Sequence, residues 1–387
     1  MILDEITLYG SVIITIVVIY SSLQNPFFRR TFLKQSKHSV NAMPDIQETK
    51  LPPLSVIITA QDNAQGIEQH LPSFLNQVYA ADFQIIVVSE KGDCQTEDVL
   101  KRFEGNPHFY HTFIPDSSRY MSRKKLAITL GVKAAKNEWI ILTDASCQPA
   151  SENWLSTMAR NCSESKNLVL GFSQYTESTK PYPRFEHLHT TYYLMRKAVK
   201  DTAYRTNCPI LMFRKSEFMQ QNGFCGDLNF VRGEYDFLVN KYARNSSTAI
   251  ELSPEARIIE DEPTKMARKN KHVFYQATRK HLKRNVSHRF LYNLDQWAIH
   301  LNLLLILAAL ILSIMTQRWI LTASSSFAFI LTLILRTFIG KKALRIFGEN
   351  LPSWKIVPYE ISIVWHNLLN IIRYMKTDKY DFTSHKV

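Results

Sequence analysis

Paired cysteines are missing from this chain. Its five cysteines, Cys94, Cys147, Cys162, Cys208 and Cys225, are scattered with no Cys-x-x-Cys among them. That excludes a disulfide framework or a zinc ribbon and reads as reduced thiols in a cytosolic main domain. Acid is also short, with 34 Asp+Glu against 47 Lys+Arg and a formal charge of +13. Such an excess points either to nucleic acid or to anionic lipid head groups and anionic substrates. The sequence has no RNA-binding aromatic signature and no Lys/Arg run interleaved with stacking aromatics, so nucleic acid is not an expected partner. Charge of either sign is absent from Ile6 to Phe28, and no small-residue cleavage site follows. This length is close to the ~20 residues of a membrane-spanning helix, so residues 1–28 read as an uncleaved anchor rather than a buried core helix.

Around that anchor the charges are asymmetric. Asp4 and Glu5 precede it, whereas Arg29, Arg30, Lys34 and Lys37 follow it. The positive-inside rule then places the amino terminus outside and the main domain in the cytoplasm. Residues 29–53, polar and carrying Pro44, Pro52 and Pro53, read as a linker. At 387 residues the chain has room for one large domain or two small ones.

The segment from Leu54 to Ala60 is a β-branched run of strand length, followed by a helical pattern at Ile67, Leu71, Phe74 and Leu75. Gln84 to Ser89 repeats the strand signal, and Thr96 to Phe103 suits the helix after it. Arg123 to Lys136 reads as a further helix, with Leu126, Leu130 and Val132 to Ala135 on its apolar face. It leads into Trp139-Ile-Ile-Leu-Thr-Asp144, an apolar run that stops at an acid. Strands alternating with helices in this way indicate βαβ units and a parallel sheet. Asp144 then emerges at the carboxyl end of a buried strand, where open α/β sheets bind ligands. An acid there, with a second ligand two residues on, is how a nucleotide-sugar enzyme holds Mg²⁺ or Mn²⁺ against a diphosphate. The second position here is Ser146, and Asp144 could instead cap the following turn.

The succession Leu54-Ser-Val-Ile-Ile-Thr-Ala, Ile85-Ile-Val-Val-Ser-Glu, Ser122-Arg-Lys-Lys-Leu-Ala-Ile-Thr-Leu-Gly, Trp139-Ile-Ile-Leu-Thr-Asp-Ala-Ser and Gly233-Glu-Tyr-Asp-Phe-Leu-Val-Asn-Lys resembles a membrane-anchored family-2 glycosyltransferase of bacterial type. The likeness runs over roughly residues 50 to 290, in order and spacing. It implies an α/β fold of GT-A type, a nucleotide-diphosphosugar transferase domain with a mostly parallel central sheet, over 54–290. It also implies an activated sugar donor and Mg²⁺ or Mn²⁺. Carried over by position, Asp144 would bind the metal, and Glu90 with the turn Thr59, Ala60 and Asp62 would hold the nucleotide. Lys125 would stand near the diphosphate, as would Arg268 and His272 in a basic-aromatic helix. Glu234 or Asp236 would be the general base that deprotonates the acceptor hydroxyl.

Several positions depart from that pattern. Asn63 stands where relatives have an acid after the first strand, Ser146 replaces the second acid of the metal motif, and Tyr235 occupies the second place of the acidic pair. A tyrosine with a pKa of about 10 is a poor base near neutrality. The resemblance therefore implies either an inverting glycosyltransferase acting on a glycan or lipid-linked acceptor, or a catalytically silent partner within a complex of glycan-assembly proteins. The acids at 234 and 236 could also cap a helix starting near Phe237. In that arrangement Asp236 caps, Glu234 reaches the acceptor and Tyr235 projects toward it.

Toward the carboxyl end, Lys265 to Arg289 reads either as the basic-aromatic helix or as an amphipathic helix lying on anionic lipid. Ile299 to Met315 and Ile320 to Leu335 read as a transmembrane hairpin within 291–340, its basic flanks Lys280 to Arg289 and Arg336 to Arg345 both inside. Residues 341–387 hold a last helix, Trp354 to Ile372. Its Glu360, His366, Asn367 and Asn370 favour an interfacial position over a third span in this region.

Overall fold

The computed structural model describes residues 5–28, 51–115, 122–200, 202–378 and 382. The chain begins with α1 (Glu5–Gln24). Asp4, the basic residues Arg29, Arg30, Lys34 and Lys37, and positions 29–50 of the expected linker lie outside the described residues. Strands and helices then alternate through β1 (Leu54–Thr59), α2 (Ala64–Leu75), β2 (Phe83–Glu90), α3 (Cys94–Lys101), β3 (Phe109–Ile114), α4 (Arg123–Ala134), β4 (Trp139–Asp144) and β5 (Cys147–Pro149). Next come α5 (Trp154–Ala159), β6 (Leu168–Leu170), β7 (Ser173–Tyr175), α6 (Pro181–Lys200), β8 (Ile210–Arg214), α7 (Lys215–Gln220), α8 (Glu234–Tyr242), β9 (Thr248–Ile250) and β10 (Ile258–Glu260). Helices α9 (Lys265–Thr278), α10 (Asn285–Met315), α11 (Trp319–Ile346) and α12 (Ile356–Lys376) follow. All five cysteines are free.

The described residues form two compact units. One comprises those of 32–180, 194–285 and 370–387. Its seven-stranded sheet has the order β3-β2-β1-β4-β8-β6-β9, and a small sheet runs β5-β10-β7. Strands β3, β2, β1 and β4 are mutually parallel, and β8 lies antiparallel between β4 and β6. Every residue of β1 is buried, as the unbroken apolar run requires of a strand covered on both faces. The chain lays β2 and β3 to one side of β1 and then returns to the other side for β4. Strand order therefore reverses between β1 and β4, and the crevice at their carboxyl ends is the expected ligand position.

Helix α4 packs over β1 on a face that only partly matches the expected one: Val132 and Ala135 are buried as expected. Lys125, Ala127, Ile128, Gly131 and Val132 are buried, whereas Leu126 and Leu130 are half-buried. A Cβ on Gly131 would come within 2.6 Å of Ile57 Cγ2, so the helix backbone rests directly on the strand, and the small-residue face is the one that fits. The basic run 265–289 is not one helix: α9 ends at Thr278, a 3-10 turn spans Arg279–His281, Arg284 takes a φ of +66°, and α10 starts at Asn285. The expected boundary after residue 290 thus falls inside a helix.

The other unit comprises the described residues of 1–31, 181–193 and 286–369. Helices α1, α10 and α11 are each long and apolar enough to cross a membrane. Apolar side chains such as Ile13, Ile16, Leu304, Ile311 and Phe338 face outward, and Ile14, Val18, Ile306, Leu321 and Ala328 pack together inside. The polar groups are also inside. Arg336, entirely buried, donates to Glu360 Oε2 at 2.8 Å, to Asp295 Oδ1 at 3.2 Å and to the Ser21 carbonyl at 2.9 Å. Asn25 Nδ2 donates to the other Glu360 oxygen at 2.8 Å. Apolar outside and polar inside is the arrangement that hydrocarbon demands, because a charge there needs a partner. Arg336 is thus an interior residue and not the solvated flank the sequence suggested. Glu360 turns inward as well, so its charge does not require a head-group position.

Candidate active site

Three strand ends set the site. Thr59 on β1 sits in register with Val88 on β2 and with Asp144 on β4. Glu90 lies two residues beyond Val88 at the end of β2, so it stands about 12 Å from Asp144, two strand spacings across and two residues along. The Asp144 carboxylate accepts hydrogen bonds at both oxygens. Its Oδ1 accepts from the Thr59 hydroxyl at 2.9 Å and from the Tyr235 hydroxyl at 3.0 Å, and its Oδ2 accepts from the Lys124 ammonium at 2.7 Å. The Lys124 Nζ also lies 5.3 Å from the centre of the Tyr235 ring. Burial first, and then the negative charge of Asp144, push the Tyr235 phenol well above its ordinary range. It remains a hydrogen-bond donor and cannot act as a base.

Glu90 is held at both oxygens, by Arg123 at 2.7 Å and by Gln61 Nε2 at 3.0 Å. Since Arg123 and Lys124 are adjacent at the start of α4, this one helix end ties the β2 acid to the β4 acid. The turn after β1 is held by backbone contacts to the neighbouring strand. Ala60 N donates to the Val88 carbonyl at 3.0 Å, and Asp62 adopts a φ of +45°. Asn63, which replaces an acid of the family pattern, caps α2 by accepting from Gly66 N at 3.0 Å. A Cβ at Gly66 would meet the Ala145 carbonyl at 2.8 Å, so this cap lies tight against the turn that follows Asp144.

The acids near 235 diverge. Helix α8 starts at Glu234, not near Phe237, with Gly233 as its N-cap at a φ of +99° and no side-chain cap bond. Asp236 is therefore not the cap. It is half-buried, 3.7 Å from Arg205 Nη1, and desolvation raises its carboxyl above the usual range while Arg205 opposes that rise. Glu234, 5% exposed, points the other way and lies 3.5 Å from the Ser122 hydroxyl that caps α4. Tyr235, between them, reaches the Asp144 carboxylate.

Lys125 does not stand where the sequence reading placed it. Its ammonium is buried and donates to the carbonyls of Asp227 at 2.5 Å and Phe230 at 2.6 Å, 4.7 Å from the centre of the Phe237 ring. It fastens the loop ahead of α8, and its neighbour Lys124 takes the site position. Burial pushes the Lys125 ammonium down to about 8. A lysine depressed in the fold costs stability while pH is below the folded pKa, and that cost disappears as pH rises toward the unfolded value. Thermal unfolding in detergent between pH 8 and 10 is thus expected to show wild-type stability rising by about 2 kcal/mol relative to Lys125→Met. Parallel profiles for the two proteins would contradict this placement of the charge. Arg268 and His272 are half-buried on α9, and from the same helix Lys271 Nζ donates to the Asn207 carbonyl at 2.9 Å.

A hard divalent cation prefers several bare carboxylate or phosphate oxygens. Among the described residues no three His, Cys, Asp or Glu side chains are grouped to hold one. Asp144 is the acid at the motif, and Lys124 already fills the cation position on its outer oxygen, with Ser146 supplying no charge. The residues present do not fit a metal held by Asp144. Lys124, Arg123 and Gln61 were not identified from sequence, although the cap at Ser122 and the buried stripe 127-128-131-132 fix which lysine faces the strand ends.

The comparisons concern the fold of the domain that carries this site. Residues 55–221 match the family profile described as Glycosyl transferase family 2. Mannosyltransferase PcManGT from Pyrobaculum calidifontis, solved with GDP-Man and Mn²⁺, is similar in structure with a TM-score of 0.53 at 16% identity, over 92% of this chain and 98% of that one. Residues 1–349 of S. aureus TarS, solved with UDP-GlcNAc, align over 81% of this chain and 92% of that one at a TM-score of 0.43 and 12% identity. No curated protein matches the chain. The expectation of a catalytically silent partner is not favoured by these matches. With the sheet order, the strand-end Asp144 and the match over residues 55–221 in hand, the chain carries a glycosyl transferase family 2 domain of GT-A fold and is a glycosyltransferase.

Proposed function

We propose that the crevice at the ends of β1 and β4 binds a nucleotide sugar and passes its sugar, with inversion, to a glycan or lipid-linked acceptor at the membrane. The observation that carries this is the convergence of Thr59, Lys124 and Tyr235 on Asp144 at the point where strand order reverses. In this reading Glu90, with Arg123 and Gln61, forms the nucleotide end, and the turn 59–62 lines the floor. Residues 54–290 act as the transferase domain on the cytoplasmic side of an inner membrane, where sugar nucleotides are made. The anchor of 1–28 and the hairpin within 291–340 hold it there, and α12 lies at the interface. Other glycan-assembly proteins are its natural partners. Arg268 and His272 line the acceptor or diphosphate side of α9. Titrating the purified protein with uridine and guanosine diphosphosugars in a calorimeter tests the reading. Heat with at least one is expected, and no heat with any would count against it.

Glu234 is the base in this scheme, because Asp236 is committed to Arg205. The acceptor hydroxyl attacks the anomeric carbon opposite the diphosphate and gives its proton to the Glu234 carboxylate. Glu234→Gln is therefore expected to lower turnover by about 10²-fold or more with donor affinity unchanged. Asp236→Asn should instead lower stability by roughly 1–2 kcal/mol, since it leaves the half-buried Arg205 without its counter-charge. Full turnover in Glu234→Gln, with loss in a folded Asp236→Asn, would exchange the two roles.

A further inference from the structure

We infer that the Lys124 ammonium does the work of a divalent cation in this enzyme, so that the donor diphosphate is bound and released without a metal. The inference rests on the reading of the crevice as a nucleotide-sugar site. Two independent features carry it. The acid that would complete a metal motif is a neutral serine, Ser146. The acid that remains, Asp144, holds a lysine at 2.7 Å, on the oxygen left over after Thr59 and Tyr235 have taken the other. A divalent ion at Asp144 would have to displace Lys124 and then sit beside its charge, a like-charge contact that low dielectric makes unfavourable.

An ammonium has three donors. One is bound to Asp144 Oδ2, which fixes its position, and the others are available to phosphate oxygens entering the crevice. Asp144 is thus a positioning residue, and Lys124 is the group that meets the substrate. In the transfer step the bond between the anomeric carbon and the β-phosphate oxygen breaks, and its electron pair leaves with the nucleoside diphosphate. The new bond forms from the acceptor oxygen, whose proton goes to Glu234. The extra negative charge thus appears on the β-phosphate, next to Lys124, where a fixed cation stabilises it. No further reactant is needed to balance the step.

The test uses the full chain in detergent with a metal chelator present. Calorimetry compares uridine and guanosine diphosphates with the corresponding monophosphates, which lack the β-phosphate. The diphosphate of the cognate base is expected to bind in chelator, with its affinity changed less than about twofold by excess Mn²⁺. Lys124→Met should weaken the diphosphate by roughly tenfold or more, the loss of one charge-assisted hydrogen bond, and leave the monophosphate unchanged. Lys124→Arg keeps the charge and should retain diphosphate binding in chelator, which separates loss of charge from loss of fold. Diphosphate binding that appears only when Mn²⁺ is added, or that is undiminished in Lys124→Met, overturns the inference while leaving the transferase reading intact. Absence of binding by any nucleotide, with or without Mn²⁺, removes both.

Discussion

Asp144→Asn is expected to lower kcat/KM for sugar transfer by about 10³-fold or more, although the substitution changes neither the volume nor the fold of the crevice. The amide keeps an oxygen for the Thr59 and Tyr235 hydroxyls, which donate to Oδ1 at 2.9 and 3.0 Å. It removes the negative charge that anchors Lys124 at 2.7 Å. The ammonium is then free to adopt other rotamers, and the cation that should face the departing diphosphate is no longer preorganised. Loss of a single preorganised donor in such sites costs roughly 10²- to 10³-fold, and here the anchor and its cation are lost together. A transfer assay with the cognate donor checks this. Turnover within tenfold of wild type would show that Asp144 does not organise the reacting groups.

The second large effect lies in the helical unit. Arg336→Met is expected to cost about 3–5 kcal/mol, because it removes the one cation that two buried carboxylates, Glu360 and Asp295, share. The penalty comes from the charges left behind more than from the bond removed. Adding Glu360→Gln to Arg336→Met should therefore recover part of the loss. Thermal unfolding in detergent reads both variants. Arg336→Met with wild-type stability would mean that the carboxylates already find other partners.

What could be seen in the sequence follows from local chemistry. Strands β1, β2 and β4 announce themselves because a parallel strand covered on both faces must be apolar throughout, and the acid that ends β4 is conspicuous for the same reason. Strands β6, β7, β9 and β10 have three residues each, too few to show a period, and none was read. The N-terminus of α8 was misplaced by three residues because its cap, Gly233, offers a left-handed backbone instead of a capping side chain. At the site, Asp144, Glu90, Glu234 and Asp236 could be named from their positions, yet what each one touches could not. Lys124 and Lys125 are indistinguishable as letters. The close seat of Gly131 on Ile57 rotates α4 so that one lysine faces Asp144 and the other enters the core. Arg336 read as a solvated flank because its partners, Asp295 and Glu360, lie 41 and 24 residues away.

The measurement closest to the central claim is an experimental structure of the full chain with its cognate nucleotide diphosphosugar. The diphosphate is expected beside Lys124 at the carboxyl ends of β1 and β4, with the base toward Glu90 and the sugar toward α8. A nucleotide bound away from that crevice, or a crevice empty at saturating donor, would contradict it.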